Sequence, residues 1–171
     1  MTAEAIGPDD VLIGVAASGR TPYVIAALEA ARHAGALTIA LANNAGTPVL
    51  AAAEHAILAD TGSEVVAGST RMKAGTAQKV TLNLLSTGIM LRLGLVHDGL
   101  MVNMQVSNAK LRQRAIRMVG TLAGVDADAA EAALDMGGRD IKRAVLIARG
   151  LGPAEAEARL AGEWGRLGAA L

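Results

Sequence analysis

Two short, uninterrupted apolar runs constrain this 171-residue chain more than any other feature. Val11-Leu-Ile-Gly-Val-Ala-Ala is bounded by Asp9-Asp10 and Ser18-Gly19, and Leu37-Thr-Ile-Ala-Leu-Ala ends at Asn43-Asn44. A continuous run of this length, rather than an alternating one, is the mark of a strand covered on both faces inside a parallel sheet. Between the runs, Tyr23 to Ala34 carries apolar residues at helical spacing, with Thr21 placed to cap it, Pro22 at its first position and Gly35 as its stop. Thr47 to Ala53 reads as a short helix and His55 to Ala59 as a third short strand. Strands alternating with helices predict an α/β fold, a parallel sheet joined by right-handed crossovers.

The pattern changes at about Ser69, where one long helical stretch runs to Leu93 with Leu82, Leu85, Ile89 and Leu93 on one face. Its length and apolar breadth predict burial on more than one side. A turn at His97-Asp98-Gly99 leads to a helix from about Asn108 to Leu122, whose Lys110, Arg112, Arg114 and Arg117 are expected to form a solvated face. The Ala-rich remainder reads as three short helices, Ala127 to Leu134, Asp140 to Ala148 and Pro153 to about Leu167. Asp126 and Asp140 stand as caps, and Gly137-Gly138 and Gly150-Leu-Gly-Pro as breaks. The division by pattern falls near Gly124, giving an α/β domain over residues 1–123 and a small helical bundle over 124–171.

Composition removes several function classes. Without a cysteine there is no disulfide framework, thiolate zinc site or cysteine nucleophile. His33, His55 and His97 stand apart from one another and from carboxylates at ligand spacing, so no metal site is expected. Sixteen Lys and Arg balance sixteen Asp and Glu, which supplies no long-range field for a polyanion, and Tyr23 and Trp164 alone cannot form a stacking platform for bases. Nucleic acid is therefore not an expected partner. The first ten residues lack the basic and apolar regions of a signal peptide, and no apolar stretch is long enough to span a bilayer, which predicts a cytoplasmic protein without a membrane partner. Dinucleotide fingerprints, phosphate-loop Lys-Ser/Thr motifs and nucleophile elbows are absent.

Two segments hold the residues suited to chemistry. In Ala16-Ala-Ser-Gly-Arg-Thr, Gly19 permits a tight turn, and Ser18, Thr21 and the first helical N–H groups converge beyond a strand's carboxyl end. A phosphate binds in such places, and open α/β sheets place ligands there. An ordinary capped strand-to-helix turn fits the same residues. In Gly62-Ser-Glu-Val-Val-Ala-Gly-Ser-Thr-Arg-Met-Lys, Ser69 or Thr70 is placed to cap the long helix. Arg71 and Lys73 fall in its first turn, where the helix dipole disfavours cations and an anion is expected nearby. Glu64, on the loop upstream, has the chemistry of a hydroxyl-binding group or an acid/base, though a single surface carboxylate is usually only solvated.

Taken together, Ile13-Gly-Val-Ala-Ala-Ser-Gly-Arg-Thr-Pro-Tyr-Val and Glu64-Val-Val-Ala-Gly-Ser-Thr-Arg-Met-Lys-Ala-Gly-Thr-Ala-Gln-Lys resemble the sugar-phosphate isomerase (SIS) fold family. More narrowly they resemble the N-acetylmuramic acid 6-phosphate etherases, as do Asn83-Leu-Leu-Ser-Thr-Gly, Leu100-Met-Val-Asn and Asn108-Ala-Lys-Leu-Arg-Gln-Arg. The resemblance implies part of a three-layer α/β/α sheet, followed by a helical module similar to ubiquitin-associated three-helix domains. It also implies a lyase that removes D-lactate from the muramic ether of a phosphosugar by elimination and water addition, with no metal or redox cofactor. Ser18, Gly19 and Thr21 would then contact the sugar phosphate, and Glu64, Ser69, Thr70 and Lys73 would surround the sugar.

The family's chains are expected to be nearly twice this length. Their first Gly-Thr-Ser-Gly-Arg loop, and the two glutamates to which proton abstraction and leaving-group protonation are assigned, have no counterpart here; Glu64 is not one of them. A non-catalytic phosphosugar-binding module, comparable to the glucokinase regulatory protein, is the alternative. A sheet without its leading strands leaves apolar faces to be covered, and a homodimer is expected. If the loop hydroxyls bind phosphate, Ser18→Ala combined with Thr21→Val should weaken phosphosugar binding by roughly 1–3 kcal/mol in calorimetry. Unchanged affinity would remove this loop from the site.

Overall fold

The computed structural model describes residues 6–171; residues 1–5, the start of the stretch read above as lacking a signal peptide, lie outside the described residues. Strand β1 (Val11–Ala16) is followed by helix α1 (Pro22–His33), β2 (Leu37–Ala42), α2 (Pro48–Ala52) and β3 (His55–Leu58). The three strands form one parallel sheet in the order β1-β2-β3. Its register pairs Ile13 with Ile39 and Leu41 with Ile57. The α/β class and the parallel sheet are as the sequence implies.

Small residues set the distance between layers. Leu28 of α1 and Val49 of α2 share one core with Ala16 and Ala40. A Cβ on Gly14 would stand 2.8 Å from Leu28 Cδ1 and 2.9 Å from Val24 Cγ1. Glycine at 14 is therefore what lets α1 lie against the strand. The helix ends as expected, with Gly35 at φ +86° and the Ala36 N–H returning to Ala31 O at 3.0 Å. Its start differs: Thr21 occupies the cap position with an extended backbone, but its side chain makes no capping bond.

The expectation that β1 is covered on both faces is corrected. Only β2 pairs with it among the described residues, and Val11 and Ile13, on the face opposite Leu12 and Gly14, are 56% and 39% exposed. A continuous apolar run reports the chemistry of both faces, not what lies against them.

Helix α3 (Lys73–Arg92) is the next element, and it too departs from expectation. It begins four residues later than Ser69, because Gly68 at φ +79° and the Met72 N–H bonded to Ser69 O form a turn ahead of it. Burial on more than one side is not observed. Ala74 is the helix's buried residue, while Val80, Leu84, Ile89 and Leu91 are exposed.

The described residues form two compact units, one up to Leu85 and one from Ser86 to Leu171. In the second, β4 (Val96–His97) and β5 (Leu100–Met101) make an antiparallel hairpin. Asp98 and Gly99 both have positive φ, the geometry that suits the twist of a two-residue turn. Then come α4 (Ala109–Ala123), α5 (Ala127–Met136), α6 (Ile141–Ala148), α7 (Pro153–Gly162) and α8 (Leu167–Ala170). Val119, Leu134, Val145, Ala156 and Leu167, one from each helix, belong to a single core.

Capping of these helices follows the sequence closely. Asn108, Asp126 and Asp140 each accept the N–H three residues on, at 2.9–3.0 Å. Two details differ. The final expected helix breaks at Trp164 and Gly165, which take φ of +55° and +70°, so α7 and α8 are separate. Lys110, Arg114 and Arg117 are exposed as expected, but Arg112 is half-buried and forks onto Glu131 and Asp135 of α5, each at 2.8 Å. That pairing holds the Asp135 carboxyl below its ordinary range.

Gly14→Ala should lower the unfolding free energy by about 1–3 kcal/mol, since Leu28 and Val24 must shift to admit the methyl group. Chemical denaturation followed by circular dichroism measures it; an unchanged midpoint would mean that α1 has room to move.

Candidate functional site

All three strands of the sheet run parallel, so their carboxyl ends share one edge, and the loops beyond that edge, with the first residue of α3, carry every candidate residue. The first is the turn after β1. Gly19 N–H bonds Ala16 O at 3.0 Å, and Ser18 Oγ accepts the Arg20 N–H at 3.3 Å. Gly19 has φ +66° and packs against the buried Thr47, whose side chain would clash with any Cβ there. Both the backbone angle and the lack of space require glycine. Val49 N–H takes Gly19 O at 3.0 Å, which fixes the turn to the start of α2. Ser18 and Thr21 are thereby left exposed on a rigid turn.

The second group surrounds the start of α3. Glu64 is its cap: Oε2 accepts the Lys73 N–H and Oε1 the Ala74 N–H, both at 3.0 Å. The capping expected of Ser69 or Thr70 is thus supplied from nine residues upstream. Instead, Thr70 contributes its carbonyl, which accepts the Gly75 N–H at 2.7 Å. The anion expected near Lys73 is this same carboxylate, placed where the helix dipole favours negative charge. The Lys73 ammonium donates to Ser63 O at 2.7 Å, and Arg71 lies ahead of the helix rather than in its first turn. The Ala74 and Lys73 amides, more than the nearby ammonium, hold the Glu64 carboxyl below its ordinary value. It is kept ionised, an acceptor of hydrogen bonds rather than a proton donor at neutral pH.

An open groove of about 760 Å³ runs beside this cap. Glu64, Ser69 and Lys73 line it together with Arg71, Thr76 and the apolar Val65, Val66, Met72 and Ala77. Thr70 and the Ser18–Thr21 turn do not line it.

The two groups are joined by residues to which the sequence reading gave no role. Asn43, 5% exposed at the end of β2, donates its backbone N–H to Ala17 O at 3.1 Å and its side-chain Nδ2 to Ala59 O at 2.7 Å. The same Nδ2 lies 3.5 Å from Ala74 O, and Gln78 Nε2 donates to Asn43 Oδ1 at 2.7 Å. Asn44 Nδ2 adds a second bond to Ala17 O, at 2.9 Å. The available signal was position: two adjacent asparagines immediately after a strand, at the edge where ligands sit.

Comparison with known proteins places this edge in context. The SIS domain family model matches residues 1–87, the stretch containing the sheet and both loops. The chain belongs to the SIS domain family. An N-acetylmuramic acid 6-phosphate etherase of Deinococcus radiodurans is 56% identical over 161 residues, covering 94% of this chain and 53% of that protein. One from Symbiobacterium thermophilum is 56% identical over 144 residues, covering 84% of this chain and 48% of the relative. A Vibrio cholerae relative, N-acetylmuramic acid 6-phosphate etherase 1, is 53% identical over 82% of this chain and 47% of its own length. The chain thus spans about half the length of the curated relatives it matches. Among the described residues no helix is long and apolar enough to cross a membrane.

The cap has a pH signature. Its carboxyl is lowered from the ordinary value of 4.5, so the stabilisation is complete above that pH and is lost as pH falls through the lower folded value. Glu64→Gln should therefore be less stable than wild type at pH 7, with the difference shrinking below pH 4.5. Thermal unfolding of both proteins across pH 3–7 checks this; a pH-independent difference would show that the charge does not matter to the cap.

Proposed function

We propose that this chain is the phosphosugar-binding part of an N-acetylmuramic acid 6-phosphate etherase. The observation that carries this reading is 56% identity to such an etherase over 94% of the chain, a span that includes both loops at the sheet edge. In this reading the Ser18 and Thr21 hydroxyls, on the turn that Gly19 permits, hold the phosphate, and Glu64, Ser69, Thr70 and Lys73 surround the sugar. The reaction breaks the C–O bond of the lactyl ether by elimination and adds water, giving N-acetylglucosamine 6-phosphate and D-lactate, without a metal or redox cofactor. The protein works in the cytoplasm, and two copies associate. Exposed Val80, Leu84, Ile89 and Leu91 on α3 support association, since burying such surface is favourable.

One observation favours a second reading, a phosphosugar-binding module without turnover. Both Glu64 oxygens are engaged by backbone N–H groups and the carboxyl is held ionised, so this group can accept a sugar hydroxyl but is poorly suited to deliver a proton. Glu64 is therefore not the carboxylate that moves protons in the etherase reading.

Calorimetric titration with N-acetylmuramic acid 6-phosphate, followed for released D-lactate, separates the readings. Binding without lactate is expected of this chain alone. Lactate release would show that its own residues suffice for elimination, and failure to bind would overturn both readings.

A further inference from the structure

We propose that Asn43 is a positioning residue that couples the Ser18–Thr21 turn to the start of α3, with Gln78 anchoring its amide oxygen. The proposal rests on the reading of that turn as the phosphate site and goes beyond it, because Asn43 lines neither the turn nor the groove. Its hydrogen bonds reach Ala17 O before the turn, Ala59 O after β3, Ala74 O in the first turn of α3 and Gln78 one turn further on. The bond to Ala17 O is made by the backbone N–H, but no aliphatic residue can make the other three, and aspartate would set a carboxylate oxygen against two carbonyls. A buried amide with such partners holds one arrangement, because each bond it loses leaves a polar group unpaired away from water. Lys73 and Ala74, whose N–H groups Glu64 caps, begin the same helix that Asn43 touches. A shift of the turn when it takes a phosphate group therefore reaches the Glu64 cap through one residue, by its backbone N–H on the turn side and its side chain on the helix side. Gln78 is the remote end of this path: the Ala59 and Ala74 carbonyls require Nδ2 on their side, and the Gln78 amide donates to the Asn43 Oδ1 on the other.

The test uses the whole chain in amide-resolved NMR, with inorganic phosphate and then N-acetylmuramic acid 6-phosphate as probes. Gln78→Met removes the donor to Asn43 Oδ1 at similar volume, and Asn43→Asp removes the donor to Ala59. Without ligand, Gln78→Met should speed hydrogen exchange of the Asn43 amide, which is bonded to Ala17 O, by about tenfold or more. With ligand, the Gly19 and Ala74 resonances of wild type should titrate together. In either variant the Gly19 response should persist while the Ala74 response is reduced at least about threefold. An Ala74 response retained in Gln78→Met, with Asn43 exchange unchanged, would overturn the coupling. Should Asn43→Asp fail to fold, Gln78→Met alone decides. A wild-type Gly19 that ignores both probes would instead overturn the phosphate reading, and the ligand-free exchange of Gln78→Met would still decide whether Asn43 depends on Gln78.

Discussion

Parallel strands that end at one edge leave polar backbone groups with no further ladder partner, at the place where the chain must turn away. Here side-chain amides take them. Ala17 O accepts both the Asn43 N–H and Asn44 Nδ2, and Ala59 O accepts Asn43 Nδ2. A buried carbonyl without a partner costs more than most single contacts return, so these amides do more than decorate the loop. They determine where the turn after β1 stands relative to the helix that begins at Lys73. The glycine at 19 follows from the same constraint, since the turn can sit over Thr47 only if position 19 has no side chain.

Once that edge is fixed, the polarity of the site follows from where anions are already supplied. A helix start that faces a ligand loop ordinarily offers unbonded N–H groups to an incoming anion. At α3 that role is taken internally, because Glu64 occupies the Lys73 and Ala74 N–H groups. Among the described residues no such carboxylate bonds the turn at Ser18, whose hydroxyl accepts a backbone N–H. The two loops are thus unlike in kind. One is suited to an anionic group, while the other presents an ionised carboxylate beside apolar side chains and is suited to hydroxyl groups and a ring face.

Much of this architecture is legible in the sequence, and the exceptions share a cause. Strands, crossover helices, Gly35 and the aspartate caps at 126 and 140 follow from local pattern, because each is decided within a few residues of itself. The cap of α3 is decided from Glu64, nine residues away across a turn, and local pattern offers the nearer Ser69 and Thr70 instead. Asn43 is invisible for the same reason, as its partners lie 16, 31 and 35 residues away. The exposure of β1 and α3 is a different failure. Apolar sequence reports that a surface should be covered, but not whether the cover belongs to the same stretch of chain.

That last distinction bears on how the two units should be regarded. The C-terminal helices close their own core, whose buried side chains among the described residues run from Val102 onward, with Leu100 packed against them. The sheet does not: Val11 and Ile13 of β1 remain open to solvent on one face, although α1 and α2 close the other. A domain that satisfies one face and leaves its second apolar gains free energy from any complementary apolar surface, whether a second copy or a longer chain supplies it. The hydrogen-bonded edge with Asn43 at its centre needs no such help. Its contacts all come from residues up to Gln78, and among the described residues no buried side-chain polar atom lacks a partner. The two are therefore separable in this fold: the edge around Asn43 is polar and internally satisfied, while the open sheet face is apolar and exposed.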